Sequence, residues 1–142
     1  MTRVMAFGTF DQFHPGHLYF LQQAKRHGDE LVVVVARDQT VKAVKGRFAV
    51  QAEDQRLAQL ALVDCVDTAV LGNPGDKYAV VRQFQPEVIC LGYDQRAFTD
   101  ELPRHFPRVK IVRLPAFHPE RYHTSKFEKS QIPSTKFQKI LE

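Results

Sequence analysis

Four consecutive valines, Val32 to Val35, lie inside the run Glu30-Leu31-Val32-Val33-Val34-Val35-Ala36. A strand with one face in water alternates polar and apolar side chains. This run does not alternate, so it must be buried on both faces, as in a parallel sheet covered by helices. Parallel neighbours need a crossover, and the preceding residues supply one. Val4-Met5-Ala6-Phe7 reads as a short buried strand that stops at Gly8. From about Pro15 or Gly16, His17-Leu18-Tyr19-Phe20-Leu21 with Ala24 gives an apolar face at helical spacing, ending near His27-Gly28. A right-handed crossover then sets the two strands side by side.

The pattern repeats downstream. Leu57, Leu60 and Ala61 mark a helix from about Ala52 to Ala61, with Arg56 on its more polar side. Val66 to Leu71 is a third strand, Gly72-Asn73-Pro74-Gly75-Asp76 a turn, and Tyr78 to Phe84 a helix stopped before Pro86. Glu87 to Leu91 is a fourth strand, Arg96 to His105 a polar helix, and Val109 to Leu114 a fifth strand. The prediction is an α/β protein: one Rossmann-like, doubly wound, five-stranded parallel sheet with helices on both faces. Residues 1–142 are expected to form a single domain, with a C-terminal tail from about residue 116.

At 44% hydrophobic and 25% charged residues, the composition is that of an ordinary globular chain. No apolar run approaches the roughly 18 residues of a membrane span, and no apolar leader precedes the first strand, so no membrane partner and a cytoplasmic location are expected. Cys65 and Cys90 sit in apolar contexts without metal-type spacing and read as reduced core residues. The formal charge of +4 is concentrated in Lys42-Ala43-Val44-Lys45-Gly46-Arg47 and between Arg121 and Lys139. That distribution suits a compact polyanion such as a nucleoside triphosphate. No basic sheet face is interleaved with aromatics, so no nucleic-acid partner is expected.

In open α/β sheets, ligands bind at the carboxyl ends of the strands. The first strand ends there in Gly8-Thr9-Phe10-Asp11-Gln12-Phe13-His14-Pro15-Gly16-His17. The two histidines stand at a helix entrance, where unpaired N–H groups and the helix dipole favour an anion, and Gly16 allows close approach to the backbone. Imidazoles held there can donate to phosphate oxygens whose charge grows during a phosphoryl or nucleotidyl transfer. Taken singly, each reads as readily as a loop residue (His14) or a half-buried helix residue (His17). Residues 39–50, with Lys42, Lys45 and Arg47 around Gly46, predict a loop too polar for a core helix, placed to bring cations onto a phosphate. Gly92-Tyr93-Asp94-Gln95 follows the fourth strand, where Gly92 and Asp94 either meet a base or ribose or form a plain turn. Phe10, Phe13, Tyr93 and Phe117 could present aromatic surface to a ligand or equally be core.

Gly8-Thr9-Phe10-Asp11 followed by His14-Pro15-Gly16-His17 resembles the signature of the cytidylyltransferase-like nucleotidyltransferases. Val35-Ala36-Arg37-Asp38 and Leu91-Gly92-Tyr93-Asp94-Gln95 are similar to segments of the archaeal-type FAD synthases of that family, more than to its glycerol-3-phosphate cytidylyltransferases. The resemblance implies transfer of a nucleoside monophosphate from a triphosphate, ATP ahead of CTP, to a phosphorylated acceptor, FMN ahead of glycerol 3-phosphate. It further implies a homodimer, catalytic roles for His14, His17 and Lys45, and nucleotide contacts from Gly8, Thr9, Phe10, Gly16, Lys42 and Arg56. A Ser-Thr pair opening a last helix is implied as well, matched by Ser134 and Thr135 with Thr124 and Ser125 as rivals. A non-catalytic nucleotide sensor on the same scaffold is the alternative of another class, and retention of both histidines speaks against it. Magnesium is expected from the substrate's charge, with Asp11 the nearest carboxylate.

Overall fold

The computed structural model describes residues 1–92, 95 and 99–116. Five strands, β1 (Arg3–Gly8), β2 (Glu30–Val35), β3 (Thr68–Leu71), β4 (Val88–Leu91) and β5 (Lys110–Arg113), form one parallel sheet in the order β3-β2-β1-β4-β5. The chain winds from β1 out to β3, then returns to β4 on the other side of β1. The order of winding therefore reverses between β1 and β4, which is where such sheets open a crevice.

Because strand side chains alternate, the apolar runs feed two cores. Val4, Ala6, Leu31, Val33, Val35 and Cys90 point to one face, where Leu18, Leu21 and Ala24 of α1 (Pro15–Lys25) and Leu60 of α3 (Glu53–Ala61) cover them. Met5, Phe7, Val32, Val34, Ile89 and Leu91 point to the other, under Val80 and Val81 of α4 (Ala79–Phe84) and Leu102 of α5 (Leu102–His105). Each fully buried aliphatic side chain contributes about 1.5–3 kcal/mol, so these faces hold the sheet together. Both cysteines are unpaired. Burial pushes the Cys90 thiol up to about 12 and the Cys65 thiol up to about 11, so they are unreactive core groups.

Three expectations are corrected. Residues 39–50 are not a loop throughout, since α2 spans Asp38–Lys45. Val41 alone anchors it to the core, Asp38 in the first turn and Lys42 and Lys45 in the last complement its dipole, and Gly46, at φ +78°, ends it in a conformation glycine adopts without strain. The helix expected over 96–105 is, among the described residues, a 3-10 turn (Thr99–Glu101) and the single turn α5; residues 96–98 lie outside them. Arg56 is not on the more polar side of α3 but shares a face with Leu60. It is fully buried.

Candidate functional site

The segment joining β1 to α1 is bent by two non-glycine residues in the left-handed region, Phe10 (φ 55°) and Gln12 (φ 50°). Each costs about 1–2 kcal/mol, so the bend needs holding from outside. The Phe10 ring packs over Gly8, where a Cβ would lie 2.7 Å from the ring, so any side chain there would displace it. The Gln12 N–H donates to Gln51 Oε1 at 2.9 Å, and Asp11 accepts from the N–H groups of Val50 (2.8 Å) and Gln51 (2.9 Å). Arg56 reaches up from α3 with Nη1 donating to the carbonyls of Thr9 (2.9 Å) and Ala36 (2.7 Å), Nε to Gln51 and Nη2 to Asp38 Oδ1 (2.8 Å). One guanidinium thus ties together the ends of β1 and β2, the start of α2 and the lead into α3.

The bend delivers His14 to the N-cap of α1, with Pro15 in its first turn. His14 Nδ1 accepts from the Gly16 N–H at 3.1 Å, and His17 Nδ1 accepts from the His14 N–H at 3.3 Å, a capping box built from two imidazoles. Since both Nδ1 atoms act as acceptors, the proton of each neutral ring is on Nε2, leaving two Nε2–H donors for a ligand. The rings stack with centroids 3.7 Å apart, and His17 also packs against the rings of Phe10 and Phe13. Desolvation, then repulsion from His14 and Lys45, outweighs the attraction of Asp11 and holds His17 down at about 4; desolvation also lowers His14. Both are neutral donors near pH 7.

These groups open on a cavity of about 1380 Å³ that runs across the carboxyl ends of the strands. Gly8, Thr9, Phe10, Asp11, Gly16 and Gly92 line it beside the two histidines, and Lys45 and Arg47 contribute exposed cations from the end of α2. Burial works to raise the Asp11 carboxyl, but the Gln51 and Val50 N–H groups, with Arg56 and Lys45 nearby, keep it below its usual range and ionised. Residues 5–139 match the family model described as cytidylyltransferase-like. The chain belongs to the cytidylyltransferase-like family.

An FAD synthase of Methanothrix thermoacetophila is 56% identical over 118 residues, 80% of this chain and 81% of the relative. An FAD synthase of Methanocella arvoryzae is 40% identical over 134 residues, 92% of this chain and 94% of the relative. The crystal structure of the lipopolysaccharide core biosynthesis protein from Thermoplasma volcanium GSS1 matches with a TM-score of 0.78 at 43% identity, covering 83% of this chain and 99% of that one.

In this family member, two of the expected ligand groups are engaged elsewhere, Lys42 on the surface and Arg56 in the interior. Lys42 does not line the cavity: its Nζ donates to the Gly46 carbonyl at 3.1 Å and lies over the Phe48 ring. Arg56 does not line it either, being committed to three backbone carbonyls and Asp38 as described. Asp94, Ser134, Thr135, Thr124 and Ser125 lie outside the described residues, as do Tyr93 and Phe117. Phe10 and Phe13 belong to the core, at 4% and 2% exposure, Phe10 only edging the cavity, whereas Phe48, which the sequence did not single out, lines it at 59% exposure. The joint role of Asp38 and Glu53 was not read from the sequence. They brace α2 against α3, Asp38 N–H donating to Glu53 Oε1 at 2.8 Å and Glu53 N–H to Asp38 Oδ2 at 3.3 Å, a pairing across 15 residues that no local spacing announces. Among the described residues no helix is long and apolar enough to cross a membrane, and no group of three or more His, Cys, Asp or Glu could hold a metal by itself.

The histidine cap carries a pH signature. His17 titrates at about 4 in the folded chain against an ordinary 6.5, so the unfolded chain takes up its proton first as the pH falls. The stability tied to neutral His17 is complete above 6.5 and lost as the pH drops through 4, an effect of about 2–3 kcal/mol. An asparagine at position 17 keeps an acceptor near the Nδ1 position but cannot titrate. Urea unfolding at pH 7 and pH 4 is expected to show a loss larger in the parent than in His17→Asn by that amount, and equal losses would mean His17 is not held neutral by the fold.

Proposed function

We propose that this protein is an FMN adenylyltransferase, making FAD and pyrophosphate from ATP and FMN. The observation that carries the reading is the alignment of nearly the whole chain with an FAD synthase, 92% of it in the Methanocella relative. Geometry supplies the chemistry. The ionised phosphate monoester of FMN is already a nucleophile, so an FMN phosphate oxygen attacks the α-phosphorus of ATP, a P–O bond forms, and the bond to the bridging oxygen breaks to release pyrophosphate. No protein nucleophile or general base is needed, and catalysis is positioning plus stabilisation of charge on the phosphoryl oxygens. His14 and His17 donate Nε2–H to those oxygens, while Lys45 and Arg47 offset the triphosphate charge. Phe48 is the exposed aromatic surface for the flavin ring.

A magnesium ion fits a site of this kind, which offers one ionised carboxylate and a polyphosphate, the donor set that ion prefers over an all-protein cage. Asp11 would hold it, since each of its oxygens accepts one N–H and keeps a further lone pair. When bound it neutralises charge on the phosphates.

The test is chromatography of products after incubation with magnesium, FMN and either ATP or CTP, and in parallel with glycerol 3-phosphate. FAD and pyrophosphate in equal amounts from ATP and FMN are expected. CDP-glycerol from CTP, with no FAD from ATP, would overturn the substrate assignment and leave nucleotidyl transfer in place. Absence of any product with tight nucleotide binding would indicate a sensor.

A further inference from the structure

β1 stays paired with β2 as far as Gly8↔Val35, and β4 with β5 as far as Leu91↔Arg113, but the β1–β4 pairing ends at Ala6↔Cys90. Past that point no ladder pair joins the two central strands. Among the described residues, one side chain bridges them. The Gln95 amide accepts the Gly92 N–H on Oε1 at 2.7 Å and donates from Nε2 to the Phe7 carbonyl at 3.0 Å, standing in for a peptide group between parallel strands. Arg113, at the end of β5, clamps this arrangement by donating Nη1 to the carbonyls of Gly92 (2.9 Å) and Gln95 (2.6 Å). Both backbone polar groups of Gly92 are thereby engaged. What Gly92 offers the cavity is a bare face without a side chain, a floor on which a planar group can lie rather than a hydrogen-bonding edge.

We propose that Gln95 and Arg113 are positioning residues for the nucleotide, setting the separation of β1 from β4 and holding the Gly92 floor against which the nucleoside of the triphosphate rests. The proposal rests on the nucleotidyl-transfer reading and adds to it the residues that shape the nucleoside end of the site. Gln95 touches the strands on both sides of the crevice, so its loss widens or narrows the floor without removing a phosphate contact.

Gln95→Glu separates this role from packing. Glutamate has the same length and still accepts from Gly92, but an ionised carboxylate cannot donate to Phe7 and faces its carbonyl with like polarity. Arg113→Met removes the clamp from an exposed position, where folding is not at stake. Kd for ATP by calorimetry and KM for each substrate are the readouts, with thermal unfolding to confirm that each variant is folded. Expected for Gln95→Glu is a rise of about 10-fold or more in the Kd and KM of ATP, with kcat and the KM of FMN within about 3-fold of the parent. Arg113→Met should shift the same constants in the same direction by less. Unchanged ATP constants in both folded variants, or equal rises in the KM of ATP and FMN, would overturn the proposal. A parent that makes FAD while the variants behave like it would refute only this inference. A parent that binds ATP but makes no FAD would refute only the reaction assignment.

Discussion

Replacing His17 or His14 with alanine is expected to lower turnover at least about 100-fold, the usual cost of removing one donor aimed at transition-state charge. The structure supplies the reason these donors are suited to the task. Each ring is fixed by a backbone N–H on Nδ1, so its Nε2–H is aimed before substrate arrives, and little reorganisation remains at the moment of reaction. Triphosphate affinity should fall less than turnover, because the Nε2–H contacts strengthen as charge builds on the phosphoryl oxygens. Alanine at 17 also opens the cap, so a control is needed. His17→Asn retains an acceptor for the His14 N–H but no group near Nε2; it should be as slow as His17→Ala while unfolding at nearly the parental temperature. Single-turnover rates within a few-fold of the parent in these variants would make the histidines structural only.

Arg56→Ala should cause a large loss of stability, about 3–5 kcal/mol. The substitution strands the carbonyls of Thr9, Ala36 and Gln51 and one oxygen of Asp38, all of which now accept from a side chain with no exposure to water. For a chain of this size that loss corresponds to a fall in Tm of roughly 10–20 °C. Lysine can satisfy only part of this set from a single ammonium, so Arg56→Lys should recover a minority of the loss. Urea and thermal unfolding of the two variants give the answer. A cost below about 1 kcal/mol for Arg56→Ala would mean the hub is not what holds the strand ends together. Activity measured on the folded fraction should also fall, since Thr9 and Asp11 are placed through this residue and its neighbour Gln51.

What the sequence disclosed follows from what each signal physically reports. Strands buried on both faces are read from apolarity alone, so β1, β2 and β4 were found within a residue or two of their bounds. The histidine cap was found because Pro15 and Gly16 mark a helix start whatever the tertiary context. The eight-residue α2 was not, because a helix resting on one valine shows no apolar stripe; its evidence is the reciprocal brace to Glu53, fifteen residues away. Arg56 was placed on the wrong side of α3 for a related reason. Helical periodicity sorts residues by polarity, and a buried arginine is identified by the carbonyls that surround it, which come from three other segments. Gln95 was read only as part of the segment after β4, since a glutamine bridging two strands looks in sequence like any turn residue.

The bend at Phe10 and Gln12 has a consequence for portability. A peptide copied from residues 8–17 would carry both histidines, the proline and all three glycine and threonine positions of the motif, yet it would not hold them in this shape. Left-handed Phe10 and Gln12 together cost about 2–4 kcal/mol, and a lone helical turn has no favourable nucleus to offset them. The compensating contacts come from Gln51 and Arg56, some forty residues further along, and from backbone that α3 brings into place. A graft of this motif onto another strand-helix junction therefore has to bring the equivalent of α3 and its arginine with it. The unit that can be moved between scaffolds is the whole stretch from β1 through α3, not the ten residues that name the family.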